Sequence, residues 1–226
     1  TSNPSKKGAS LFCWAFAVSA ELPLMRTQAA RGASIFGCDV WSVFSDAETW
    51  ILMPGNKDTV ALPGPPSRKG AVPGHPDQLM LINHATFTLA WEKIMDSKIY
   101  ENYDWIVKVD PDTVFLPERL RARVAAKHVD AVYLKNCEKF NSMQGPLEVF
   151  SRGAIERLVD GGWAECQRDD HEGAEDIWIS KCMDLLGVPG DAEFGLLADQ
   201  YCAGGSKPSC DAPEAAAYHP FKTLPE

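Results

Sequence analysis

The run Leu11-Phe-Cys-Trp-Ala-Phe-Ala-Val18 constrains this chain more than any other stretch. It is apolar at every position, yet far shorter than the ~18 residues a membrane helix needs. An apolar run of this length reads as a strand buried on both faces. Strands of that kind sit in largely parallel sheets covered by helices on either side. Val40-Trp-Ser-Val-Phe44 alternates like a second strand and ends at Ser45-Asp46. Tyr103-Asp-Trp-Ile-Val-Lys-Val109 is a third, and it runs straight into Asp110-Pro111-Asp112. Further strands are expected at Ala131–Leu134 and Leu147–Phe150.

Helical patterns lie between these strands. Glu21 to Ala30 carries Leu24, Met25 and Gln28. Asn83 is placed to cap a helix from His84 to Ser97, whose Phe87, Trp91, Ile94 and Met95 form one apolar stripe. Pro117-Glu118 opens another helix, with proline in the first turn and an acid beside it. A helix from Gly153 to Val159 stops at Gly161-Gly162. The last, Asp176 to Leu186, puts Trp178, Cys182, Leu185 and Leu186 on one face and ends at Gly187. The alternation predicts a single α/β domain over residues 11–226, a mixed, largely parallel sheet flanked by helices. Residues 1–10 read as a stem or a trimmed end. Residues 54–76, rich in Pro and Gly, are expected to form one long surface loop.

Hydrophobic residues make up 45% of the 226, with seven Trp and ten Phe, enough for a packed core in one domain. The formal charge of −9 argues against a nucleic-acid partner, because phosphate-binding surfaces need excess Lys and Arg. None of the seven cysteines is spaced CxxC, which removes zinc-ribbon and thioredoxin-type readings. Structural disulfides in an oxidising compartment or buried free thiols remain. Cys202 and Cys210 flank a short Gly-Gly-Ser-Lys-Pro loop, the simplest place for a staple, and an odd count leaves one thiol over. A membrane anchor or signal, if the protein has one, is expected upstream.

Three groups of residues carry chemistry. Asp110 and Asp112 follow a buried strand and precede a helix, which puts them at the carboxyl edge where open α/β sheets bind ligands. Pro111 imposes a turn that lets both carboxylates face one point. Hard divalent cations such as Mn²⁺ or Mg²⁺ take oxygen ligands and share them with substrate phosphates. A plain Asp-Pro-Asp turn ending a strand is the alternative. Glu175 and Asp176 open a helix inside the acidic stretch that begins Asp169-Asp170-His171-Glu172. The helix dipole there is expected to keep a carboxylate ionised, as a general base requires, although capping alone also places acids at helix starts. In Tyr218-His-Pro-Phe-Lys222, His219 offers an imidazole ligand and Lys222 a cation for phosphate oxygens.

Taken in order, these motifs resemble glycosyltransferase family 31, the group containing fringe and core-1 β3-galactosyltransferase. The resemblance covers roughly residues 100–222. It is carried by Trp105-Ile-Val-Lys-Val-Asp-Pro-Asp-Thr113, Gly145-Pro-Leu-Glu-Val-Phe-Ser-Arg-Gly153, Glu175-Asp176 with its helix ending Leu-Leu-Gly-Val188, and His219-Pro-Phe-Lys222. It implies a GT-A fold, a UDP-sugar donor, Mn²⁺ and inversion at the sugar carbon, with a glycan or glycoprotein acceptor in the Golgi or ER lumen. By position, Asp112 is similar to the direct metal ligand, with Asp110 beside it and His219 closing the site. Asp176 takes the catalytic-base position and Glu175 is the other candidate. Asp46 faces the nucleotide in this reading, and Lys108 and Lys222 complete the expected donor-binding set. The family commonly has a third Asp where Pro111 stands, and the 54–76 segment has no counterpart in it. A non-enzymatic lumenal binding protein and a metal-dependent nucleotide-sugar hydrolase are the competing readings.

Overall fold

The computed structural model of the protein describes residues 9–47, 52–53, 57–65, 67–72, 75–127, 130–168, 173–202 and 213–222. In chain order the elements begin with β1 (Leu11–Ala17), α1 (Leu22–Ala30), β2 (Val40–Ser45), β3 (Leu52–Met53), β4 (Lys57–Asp58) and β5 (Val60–Ala61). They continue with β6 (Arg68–Val72), β7 (His75–Ile82), α2 (His84–Ser97), β8 (Trp105–Val109), β9 (Val114–Phe115) and α3 (Pro117–Val124). Then come β10 (Tyr133–Lys135), β11 (Leu147–Ser151), α4 (Arg152–Arg157), α5 (Trp163–Cys166) and α6 (Glu175–Leu185). The small strands β12 (Gly190–Ala192), β13 (Leu197–Asp199) and β14 (Ala217–His219) follow.

Seven strands form the main sheet in the order β12-β10-β11-β8-β1-β2-β5. β5, β2, β1 and β8 run parallel, as do β10 and β12, while β11 lies antiparallel between β8 and β10. The single-domain, largely parallel α/β sheet expected from the sequence is thus what the chain forms.

Period-two alternation in β1 explains why every one of its residues is apolar. Leu11, Cys13, Ala15 and Ala17 enter one core with α1, α3 and the small strands. Phe12, Trp14 and Phe16 enter the other, against α2, α4 and α6. Trp14 packs edge-on against both Phe44 and Trp91, which ties β1 to β2 and α2. Both faces of β1 are therefore covered.

The expected loop at 54–76 is corrected. Val60–Ala61 is the edge strand of the main sheet beside β2, and β6 and β7 pair as an antiparallel hairpin. Cross-strand pairing of Ala71 with Leu79 and Lys69 with Leu81 supplies the order that a Pro- and Gly-rich composition hid. On α6 the buried face is Trp178, Ile179, Cys182 and Met183, while Leu185 is exposed, so the expected stripe was rotated. Gly187 ends that helix with φ of 67°, the left-handed stop a glycine allows.

Among the described residues, three disulfides join Cys13 to Cys38, Cys137 to Cys202, and Cys166 to Cys182. Cys202 thus bonds a partner 65 residues away instead of Cys210, which lies outside the described residues. Three such bonds belong to an oxidising compartment. Among the described residues, no helix is long and apolar enough to cross a membrane.

Candidate active site

β8 ends at Val109, and the next three residues turn over the carboxyl edge of the sheet. Thr113 N–H donates to the Asp110 carbonyl at 3.0 Å, and Asp110 N–H donates to Pro146 at 3.2 Å. Gln28 of α1 donates through Nε2 to the Pro111 carbonyl at 2.7 Å, and Phe221 N–H donates to the Asp112 carbonyl at 2.7 Å. The turn is thereby held from three sides. Antiparallel pairing of β14 with β9, and parallel pairing with β13, then brings His219 across to it.

Asp110, Asp112 and His219 each present a ligand atom within 4.8 Å of the others, so the structure brings the expected group together. His219 Nε2 lies 3.4 Å from Asp112 Oδ1, and its Nδ1 lies 2.6 Å from Asp199 Oδ2. Asp199 thus orients the ring and leaves Nε2 for a ligand, the arrangement metal-binding histidines commonly have. Burial works against a charge on His219, but Asp112 and Asp199 outweigh it and raise its pKa to about 9. Burial also acts to raise Asp112, yet His219 and Lys222 hold it below the usual carboxylate range. Lys222, largely exposed, reaches Asp112 Oδ2 at 3.2 Å. Two ionisable oxygens and one oriented imidazole are a donor set that fits Mn²⁺ or Mg²⁺.

The second half of the site hangs from Gly145, whose N–H donates to Asp176 Oδ2 at 2.9 Å. Asp176 and Glu175 open α6, but the dipole does not keep Asp176 as acidic as expected. Burial, and then the adjacent Glu175 carboxylate, push its pKa up to about 7. Glu175 goes the other way: burial would raise it, but Lys108 outweighs that and holds it down. Asn83, expected to cap its own helix, instead accepts the Glu175 N–H at 3.0 Å and so caps α6.

Lys108, expected in the donor-binding set, has its ammonium turned into the fold. Its ammonium is fully buried, lying 2.6 Å from both Asp110 Oδ1 and Glu175 Oε1 and 2.8 Å from the Gly145 carbonyl. Those contacts use all three of its N–H groups and leave none for a phosphate. Asp46 is exposed at the end of β2 and accepts hydrogen bonds from Ser19 N and Oγ at 2.8 and 3.0 Å. The acidic stretch 169–172 lies outside the described residues.

Three participants were not singled out from the sequence, and a fourth, Asn83, was read only as the cap of its own helix. Asp199 follows only three apolar residues, too short a run to draw notice. Glu148 interrupts an apolar strand, as Lys108 does, and the two stand opposite each other in the register. Matching lone charges in neighbouring strands was the available signal. Glu21, whose carboxylate burial raises to about 7, and Asn83 carried no local mark of their surroundings.

No protein-family model matches the chain. Among solved structures it is similar to a crystal structure of a glycosyltransferase involved in the glycosylation of the major capsid of PBCV-1. The TM-score is 0.51 at 8% identity, covering 93% of each chain. At that identity the likeness shows the fold, which is GT-A-like. The protein therefore combines a glycosyltransferase fold with an Asp-Asp-His group suited to a cation.

Proposed function

We propose that the protein is a metal-dependent, inverting glycosyltransferase that moves a hexose from a UDP-sugar to a hydroxyl of a glycan or glycoprotein. One observation carries this reading: the carboxyl edge of one sheet holds both the Asp110, Asp112 and His219 group and a carboxylate poised near neutral pH. The ordered motifs that resemble glycosyltransferase family 31 support UDP, Mn²⁺ and inversion. Three disulfides agree with work in the lumen of the Golgi or ER.

Asp110, Asp112 and His219 would hold the cation, which would supply charge neutralisation at the leaving diphosphate. Lys222, with its exposed flexible stem, turns from Asp112 to a phosphate oxygen. Asp46 faces the nucleotide side of the edge. Asp176 takes the proton from the acceptor hydroxyl, whose oxygen forms the new bond to the anomeric carbon as the bond to the phosphate oxygen breaks. Glu175, spent on Lys108, seats Asp176 and does not act as the base.

UDP release from a panel of UDP-sugars with Mn²⁺, measured with and without acceptor, tests the reading. Asp112→Ala is expected to abolish cation-dependent UDP binding by calorimetry. Asp176→Ala is expected to retain that binding and lose turnover. UDP release indifferent to every acceptor would make the protein a hydrolase, and a wild type that binds neither UDP nor cation would make it a non-enzymatic module.

A further inference from the structure

Lys108 stands in the middle of β8, whose other residues, Trp105, Ile106, Val107 and Val109, are all apolar and buried. An ammonium taken fully out of water costs several kcal/mol unless its charge and every N–H are matched. Asp110, Glu175 and the Gly145 carbonyl match all three. Glu148 Oε1, at 3.3 Å, is left with charge attraction alone, and neither of its oxygens has a hydrogen-bond partner. A carboxylate so placed is costly when ionised, and burial pushes the Glu148 carboxyl well above the usual range while the Lys108 ammonium opposes it.

An ordinary buried ion pair would end there, but the partners of Lys108 belong to two different halves of the site. Asp110 is part of the cation group. Gly145 accepts from Lys108 through its carbonyl and donates to Asp176 through its N–H. Glu175, the other partner, immediately precedes Asp176. Any side chain at position 145 would intrude on this junction, since a Cβ there falls 2.9 Å from Glu175 Oε1 and 3.5 Å from Lys108 Nζ.

Resting on the transferase reading above, we infer that Lys108 is a positioning residue whose one ammonium joins Asp110 to the groups that seat Asp176, so that a cation at one end sets the readiness of the base at the other. A cation drawing on Asp110 leaves more of the Lys108 charge to Glu175 and Asp176. Both that release and the cation's own field favour the ionised base. The charged groups facing Asp176 among the described residues are Glu175 on its own helix, Lys108 on β8, Glu148 on β11 and Asp110 beyond Lys108. From α2 come only the Asn83 amide and His84, whose Nδ1 accepts the Gly173 N–H. The base is thus armed once the donor's cation is seated, which protects an empty site from idle proton transfer.

The test is a pH titration of the Asp176 carboxyl carbon by ¹³C NMR on the full chain, with and without Mg²⁺, the signal assigned through Asp176→Asn. In the wild type, Mg²⁺ is expected to lower the midpoint by about one pH unit. In Lys108→Met the metal-free midpoint is expected to rise and most of the Mg²⁺ response to vanish. If that variant does not fold, the charge-balanced Lys108→Met/Glu175→Gln keeps the comparison open. An equal Mg²⁺ response with and without Lys108, or bound Mg²⁺ with no response in the wild type, would overturn the inference. Neither outcome depends on turnover, so failure of the transferase reading, seen as no acceptor-dependent UDP release, remains separately visible.

Discussion

Asp176 and His219 both hold protons more tightly in the fold than in a free chain, and the proposed function requires both to give them up. Asp176 moves from 3.8 to about 7. Its proton preference stabilises the fold fully below pH 3.8, and that contribution is lost as pH rises to about 7. Asp176→Asn is therefore expected to melt close to wild type at pH 4 and to be more stable by about 1–2 kcal/mol at pH 8. Turnover of the same variant should fall ~10²–10⁴-fold. In the parent protein with cation bound, kcat/KM should drop tenfold per pH unit below the Asp176 midpoint, which the cation is expected to set under its metal-free value of about 7. For His219, at about 9, a cation must displace the ring proton. Calorimetry at pH 7 in buffers of different ionisation enthalpy should show about one proton released per cation bound. Asp199→Asn, which loosens the ring, should weaken cation binding by ~10–100-fold.

At the scale of elements, the antiparallel β11 does most to build the site. Because it runs against β8, the chain entering it passes the end of β8, and Gly145-Pro146 lies beside Asp110. Gly145→Ala would drive a Cβ to 2.9 Å from Glu175 Oε1. Thermal melts and kinetics should show about 1–3 kcal/mol of destabilisation and at least about tenfold lower kcat, with cation affinity less affected. Much of this arrangement was legible in the sequence. A strand that is apolar throughout and then breaks into Asp-Pro-Asp places its acids on the carboxyl edge with little ambiguity. What escaped reading depends on pairing between distant segments. Lys108 reads as a phosphate binder until β11 brings Glu148 opposite and α6 brings Glu175. Asn83 satisfies helix-cap chemistry, but only the packing of α2 on α6 decides which helix receives it. The hairpin β6–β7 was hidden because its order lies in cross-strand pairs, whereas Pro and Gly are visible residue by residue.

For the whole molecule, covalent closure supplements two well-filled cores. The Cys137–Cys202 bond spans 65 residues and the Cys166–Cys182 bond 16. In chain-entropy terms these are worth about 4 and about 3 kcal/mol. A Cys137→Ser/Cys202→Ser variant should therefore lose more stability in denaturant melts than Cys166→Ser/Cys182→Ser, and it alone should also lose cation affinity. The reason lies in Asp199, whose Oδ1 accepts the Tyr201 and Cys202 N–H groups at 2.7 and 3.2 Å while its Oδ2 steers His219. A newly made, still reduced chain carries every ligand in its sequence but lacks the clasp that sets the last one. Under the proposed function, oxidative maturation and competence to hold the cation then become a single event, and an immature copy is poorly equipped to spend nucleotide sugar before it reaches its place of work.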